Sequence, residues 1–394
     1  MKKLTKVLAL ILAATFVFSL AACSGLGGDK ETTAEATTAL AGTAAIAKDK
    51  IKVGVLHITS IEETSGYTFA HHSGILEMKS ALGLSDAQVV EKDKVDDNDK
   101  AATKTAIKEL IDADCNVIFA TSFNYMDTMD EFAKDPAYQD IIFSHCSGYK
   151  SNEVNFNNYF GRIYEARYLA GIAAGMKARE LDVPLLGYVA AMDVNMAEVT
   201  GGINAWALGI QSVYPEAVVK VKVTGEWYNP TKEAEAAKAL LDAGCVVLGQ
   251  HCDSDTTQTE AEKAGKFGCG YNSDMTPFAP KGHLTAPIWN WGVYYTQAVQ
   301  KAIEGKWTPT NYYEGMNVGL VDISALNPNP GVVAPGTAEK IEAAKAKIAD
   351  GSFFVFSGPI VDNKGNVIIA AGEKLTDAQI TGGINYYIKG VELL

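Results

Sequence analysis

Between Ile51 and Asn272 the chain alternates short, largely apolar runs with longer stretches of helical spacing, and it does so twice. A strand that is apolar along its whole length is covered on both faces. That arrangement belongs to parallel sheets sandwiched between helices. The first pass reads as strand Lys52–Ile58, helix Phe69–Leu82 with Ile75, Met78 and Leu82 on one face, and a short strand in "QVVEKDKV". It continues with helix Asp99–Asp112, strand "NVIFATS", helix Met126–Ala133 and strand "IIFSHCS". After a break near Asn155–Arg162 comes helix Tyr164–Arg179, then "LLGYVA", helix Glu198–Val213, "AVVKVKVTGEW", helix Pro230–Asp242, "CVVLGQ", helix Thr256–Ala264 and "KFGCGYN". A helix over Val293–Glu304 and a two-stranded turn at "DNKGN" complete the chain. The expected class is α/β and doubly wound.

Both passes contain one phrase, "DADCNVIFATS" at 112–122 and "DAGCVVLGQHC" at 242–252. It places Asp-Ala-x-Cys ahead of an apolar strand. Two similar lobes would produce it; so would two buried strands of coincident composition. The 394 residues are enough for two cores.

The N-terminus has a different character. Lys2, Lys3 and Lys6 precede an apolar stretch from Val7 to Phe18, and "LAAC" ends at Cys23. A basic head, a short apolar run and small residues make a secretory signal over 1–22 rather than a membrane span. The ending resembles the lipobox of bacterial lipoproteins, which implies that Cys23 carries the lipid, anchoring the chain to the extracytoplasmic face of the cell membrane. Residues 23–50 hold Gly, Ala, Thr and charge with no aromatic side chain, so they read as a tether. Without the signal, 31 basic side chains face 47 acidic ones, a net charge of −16. Such a body is a poor partner for nucleic acid. The other five cysteines, an odd number, fit no complete disulfide framework.

In open α/β sheets ligands bind beyond the carboxyl ends of the strands. The turn after the first strand, "TSIEETSGYTFAHHSG", lacks the glycine run that cradles phosphate. It carries Tyr67, Phe69, His71 and His72 instead. Later turns supply Phe123, Trp227, Gln250, Asp253, Asp274 and Trp289, with Asn204 on a following helix. Aromatic faces stack on flat rings, while amides and carboxylates read ring N–H groups and hydroxyls. The set suits a neutral heterocycle better than a phosphate ester. Core or hinge packing is the alternative role for any single aromatic residue.

No G-x-S-x-G, H-E-x-x-H, Walker A or G-x-G-x-x-G motif is present. His71 and His72 are adjacent, about 100° apart on a helix, and chelate poorly by themselves. His251, Cys252, Asp253 and Asp255 in "HCDSD" alternate faces at a strand end. The sequence therefore points to neither an enzyme nor a metal or cofactor site. "GIAAG" at 171–175 reads as a close helix-packing contact.

These residues resemble a known family. "VGVLHITSIEETSGYTFAHHSG", "GINAWALGIQSVYPEA", "EWYNPTKEAEAAKALLDAGCVVLGQHCDSD", "GYNSDM", "WNWGVYY", "GKW" and "VFSGPIVDNKG" look like the basic-membrane-protein family of substrate-binding lipoproteins from ABC importers, related to the purine nucleoside receptor. The resemblance runs from Lys52 to Leu394. It implies a type I periplasmic-binding-protein fold: two doubly wound lobes, joined by three chain crossings, that close on a central ligand cleft. One lobe would hold 51–160 and 286–316, the other 161–285 and 317–394. It implies a purine base, nucleoside or similar heterocycle as ligand and ABC permease subunits as partners. The family's cleft carboxylate matches Asp274, while its first-turn Asp-Asn pair has no counterpart here. A ligand-sensing lipoprotein coupled to a membrane kinase would use the same fold, and an α/β enzyme acting on nucleosides is the third reading.

Overall fold

A computed structural model describes residues 43–394; the signal, Cys23 and most of the tether lie outside the described residues. Two six-stranded sheets organise the chain. The first contains β1 (Val53–Leu56), β2 (Val89–Lys92), β3 (Val117–Ala120), β4 (Ile142–Cys146) and β5 (Phe156–Gly161) in the order β5-β4-β3-β1-β2. The second contains β6 (Leu185–Ala190), β7 (Val218–Val223), β8 (Val247–Gln250), β9 (Phe267–Cys269) and β10 (His283–Thr285) in the matching order β10-β9-β8-β6-β7. All these neighbours are parallel. The break expected near 155–162 is itself the strand β5, whose polar "FNNYFG" gives no continuous apolar run.

The helices of the first lobe are α1 (Gly66–Leu82), α2 (Lys100–Asp112) and α3 (Met126–Lys134); those of the second are α4 (Ile163–Glu180), α5 (Ala197–Gln211), α6 (Pro230–Asp242) and α7 (Thr256–Lys263). The internal repeat has a common local structure. Asp112 and Asp242 end α2 and α6, and Asp114 (φ 62°) and Gly244 (φ 95°) reverse the chain in the left-handed region. Cys115 and Cys245 then insert into the core ahead of β3 and β8. The five cysteines from Cys115 to Cys269 are all buried and unpaired.

Three connections cross between the sheets. Gly161 to Ile163 leads from β5 into α4, and Ala286 leads from β10 into β11 (Pro287–Trp289). The third runs from β12 (Tyr312–Glu314), an edge strand of the first sheet, to β13 (Val321–Ile323), which pairs antiparallel with β11. Between them α8 (Trp291–Glu304) returns to the first lobe against α1. A Cβ on Gly74 would lie 2.7 Å from Gly292 N, which explains the glycine at that crossing. In the second lobe α4 lies against α5, where a Cβ on Gly171 would meet the Trp206 carbonyl at 2.1 Å. The "GIAAG" segment is that contact. Helix α9 (Thr337–Ala349) packs on α4, β14 (Ile360–Val361) and β15 (Val367–Ile369) form the expected turn, and after α10 (Asp377–Gly382) the chain ends with β16 (Val391–Leu393) beside β7.

Candidate functional site

The carboxyl ends of the two sheets face each other, and their loops meet at Gly66. This residue follows β1, and its N–H donates to Ser273 Oγ of the second lobe at 3.2 Å. Its φ is 86°, and a Cβ there would sit 2.8 Å from the Asp253 carbonyl. Helix α1 starts here, three residues before the expected Phe69, so Tyr67 and His71 share a helical face rather than a loop.

From Tyr67 an aromatic column runs along the first lobe to the crossing strands. The Tyr67 ring stands edge-on to His71 at 4.4 Å, and His71 stacks on Trp291 at 4.5 Å and 14°. Trp291 stacks on Trp289 at 4.3 Å and 11°, and Trp289 leans on Phe160. Strands β11 and β13 hold Trp289 at the crossing, with Trp289 opposite Val321. His71 Nδ1 is 2.7 Å from the Tyr295 hydroxyl, which fixes the ring. Burial, with His57 adding, pushes the His71 pKa well below its usual value, so the ring is neutral. Among the described residues its Nε2 and the indole N–H groups of Trp289 and Trp291 have no hydrogen-bond partner.

The second lobe brings up the charges. Arg167 on α4 is buried; its guanidinium lies over the Tyr271 ring at 3.9 Å and donates to the Gln250 carbonyl at 3.0 Å. Glu198, on the first turn of α5, accepts from His251 Nε2 at 3.0 Å and lies 3.4 Å from the Tyr271 hydroxyl. Burial would raise the Glu198 pKa, but the charge and hydrogen bond of His251 and the charge of Arg167 outweigh it, so the pKa is held below its usual value. Burial lowers His251 to about 4, with Arg167 adding to the effect. Trp227 packs edge-on to His251 at 6.0 Å, and its carbonyl accepts from Asp253 N–H.

Asp253 behaves differently from Glu198. Its carboxyl accepts from Asn272 Nδ2 at 2.7 Å, and among the described residues no cation is paired with it. Burial, with Glu233, Glu198 and Glu63 adding repulsion, pushes its pKa up to about 8. Asn272 Oδ1 has no protein partner. The cleft thus sets one ionised carboxylate, one protonated carboxyl and one amide beside a wall of aromatic rings. It can donate and accept hydrogen bonds to a flat polar molecule at neutral pH.

Tyr67, His71, Trp227, Asp253 and Trp289 line up across the two lobes. Four expected site residues stand elsewhere. Asp274 does not join Asp253: its side chain is 48% exposed and accepts from Thr276 N–H at 3.0 Å and Thr276 Oγ1 at 2.7 Å, closing its own turn. Asn204 is buried and uses both ends of its amide on the C-terminal segment, donating to the Tyr386 carbonyl and accepting from Ile388 N–H. Gln250 is equally committed, donating to the carbonyls of Cys252 and Ser254 and accepting from Gln258. Phe123 is 47% exposed and meets only the Tyr149 ring, at 6.2 Å, among the aromatic contacts. Arg167 and Glu198 are the residues the sequence reading passed over. They sit in helices rather than in strand-end turns, and the arginine inside the apolar stretch of α4 is the one signal the sequence offers for them.

Residues 50–351 match the family model described as Bmp, ABC transporter substrate-binding protein PnrA-like. The chain belongs to this family. A purine-binding protein of Brucella abortus is 36% identical over 358 residues, 89% of this chain and 95% of that one. A Haloferax volcanii protein, provisionally named an ABC transporter glucose-binding protein, is 34% identical over 290 residues, 74% of this chain and 68% of its own. An ABC transporter solute-binding protein from Conexibacter woesei superposes with a TM-score of 0.63 at 16% identity, covering 77% of this chain and 98% of its own. The Bmp protein therefore has the two-lobed fold of the periplasmic solute-binding proteins, as its sheets indicate, and is a substrate-binding protein of ABC transporters.

Proposed function

We propose that this Bmp-family protein binds a purine base or nucleoside between its lobes and delivers it to an ABC permease for import, while tethered outside the cytoplasm by lipid on Cys23. The observation that carries the ligand class is the pairing of the aromatic column with Asp253, Asn272 and Glu198. A purine offers π faces for stacking and, on its edge, both N–H donors and ring-nitrogen or carbonyl acceptors. The raised Asp253 carboxyl can donate a hydrogen bond while protonated and accept two when a ligand supplies N–H groups that favour its ionised form. Identity to the Brucella purine-binding protein supports the same class.

Closure is part of the mechanism. Gly66, Asp253 and Ser273 meet only when the lobes approach, so a ligand contacting both sides favours the closed state by its differential affinity. The closed shape is then what a permease recognises. Native mass spectrometry of the protein as purified tests the ligand class. A retained mass of a purine base or nucleoside supports the reading; a retained hexose overturns it and favours the ligand class named for the Haloferax relative.

A further inference from the structure

The first lobe holds a cluster that the cleft does not use. His57 directly follows β1, Glu91 lies on β2 and His72 lies on α1. His57 Nε2 is 2.8 Å and His72 Nδ1 2.9 Å from the same oxygen, Glu91 Oε2. The three ligand atoms lie within 4.8 Å of one another, the single such group of three among the described residues. Strand alternation and helix period create it. Val55 and His57 point to one face of the sheet, and Glu91 pairs with Val55. Helix α1 covers that face. His71 turns towards Tyr295, and its neighbour, about 100° round the helix, reaches Glu91.

We propose that His57, His72 and Glu91 form a zinc-binding site. Two imidazoles and one carboxylate are a zinc ligand set, with metal–ligand distances of about 2.0–2.2 Å and a tetrahedral spacing near 3.4 Å between ligand atoms. To admit the ion the present 2.8 and 2.9 Å separations from Glu91 would open by about half an ångström, and the two imidazole nitrogens, now within 4.8 Å of each other, would settle to the same spacing. His57 is rigid, because its N–H donates to the Lys92 carbonyl and its own carbonyl accepts from Val95 N–H. Its side chain is fully buried, whereas those of His72 and Glu91 are 19% and 12% exposed. The fourth position therefore opens towards solvent, where a water can complete the shell. The ion would clip β1, β2 and α1 together, and α1 also carries Tyr67 and His71. Bound there, the ion would brace the first-lobe wall of the cleft.

The test is calorimetry of the full chain, without an affinity tag, stripped with chelator and titrated with zinc chloride alone. The expected result is one zinc per chain. Glu91→Gln, which keeps the shape and hydrogen-bonding capacity of the side chain, and His72→Ala, at a partly exposed position, should each weaken binding by roughly tenfold or more. Zinc should raise the melting temperature of the wild type and not of the two variants. Absence of saturable binding to the folded wild type overturns the proposal. Undiminished binding in both variants also overturns it and assigns the metal to another group, such as the cysteine thiols. The titration contains no purine, so its outcome is separate from that of the cleft.

Discussion

Replacing Asp253 by alanine tests the cleft most sharply, because Asp274, which follows the next strand, provides a matched control. In the structure Asp253 spends one hydrogen bond on Asn272 and keeps its remaining acceptor capacity for the cleft. A purine edge that presents a ring N–H and an amino group would fill it with two charge-assisted bonds. Each is worth about 1.5–3 kcal/mol net, reduced here by the cost of holding a buried carboxylate ionised. The loss expected for Asp253→Ala is therefore about 2–4 kcal/mol, or roughly 30- to 900-fold in Kd. Asp274→Ala removes the two hydrogen bonds from Thr276 that close its own turn and touches no cleft group, so its affinity should stay within about fivefold of wild type, near 1 kcal/mol. Titration calorimetry with the best purine ligand reads both. The unliganded melting temperature should be nearly unchanged in Asp253→Ala, since the mutation removes a buried group without a cationic partner. Wild-type affinity in Asp253→Ala, or an equal loss in Asp274→Ala, would refute the assignment.

Three further outcomes follow from the same geometry. Without ligand, closure should weaken as pH rises from about 4, where an open Asp253 ionises, towards its closed-state value of about 8; below that window both states hold the proton. Small-angle scattering should show a larger radius at pH 8.5 than at pH 5 in the wild type and no change in Asp253→Asn, and a flat wild-type profile would contradict the buried-proton argument. Gly66→Ala should cost about 1–2 kcal/mol of stability from its left-handed φ and a larger share of ligand affinity, because the added Cβ meets the Asp253 carbonyl only on closure; equal losses in melting and binding would argue against that contact. Cys23→Ser should move the protein from the membrane to the soluble fraction; a variant that stays membrane-bound would remove the lipid anchor from the account.

The doubly wound pattern was legible because β1, β3, β4, β6 and β8 are mostly apolar and buried on both faces, and such runs have few other folds open to them. The strands that carry no such run are β5, whose "FNNYFG" is polar, and β10 to β13 and β16, of three residues each; β10, β12 and β16 lie at sheet edges, where polar side chains are tolerated. The cleft was legible only as a zone. Strand-end turns located Tyr67, Trp227, Asp253 and Trp289, but composition does not say whether an amide faces a ligand or a backbone. Asn204 and Gln250 satisfy local carbonyls and N–H groups instead. Arg167 and Glu198 were hidden for the converse reason, since a charged residue within helical spacing reads as a solvated face until packing shows it buried, as Arg167 is, or half-buried, as Glu198 is. His57, His72 and Glu91 come from a strand end, a helix and a second strand, and only the parallel register of β1 with β2 under α1 unites them.

The central claim is that the cleft holds a purine. Calorimetric titration of the wild-type protein with adenine, guanine, hypoxanthine, xanthine, their nucleosides and glucose tests it directly. The account predicts tight one-to-one binding of at least one purine base or nucleoside and no measurable heat with glucose. Saturable glucose binding with no response to any purine would contradict it.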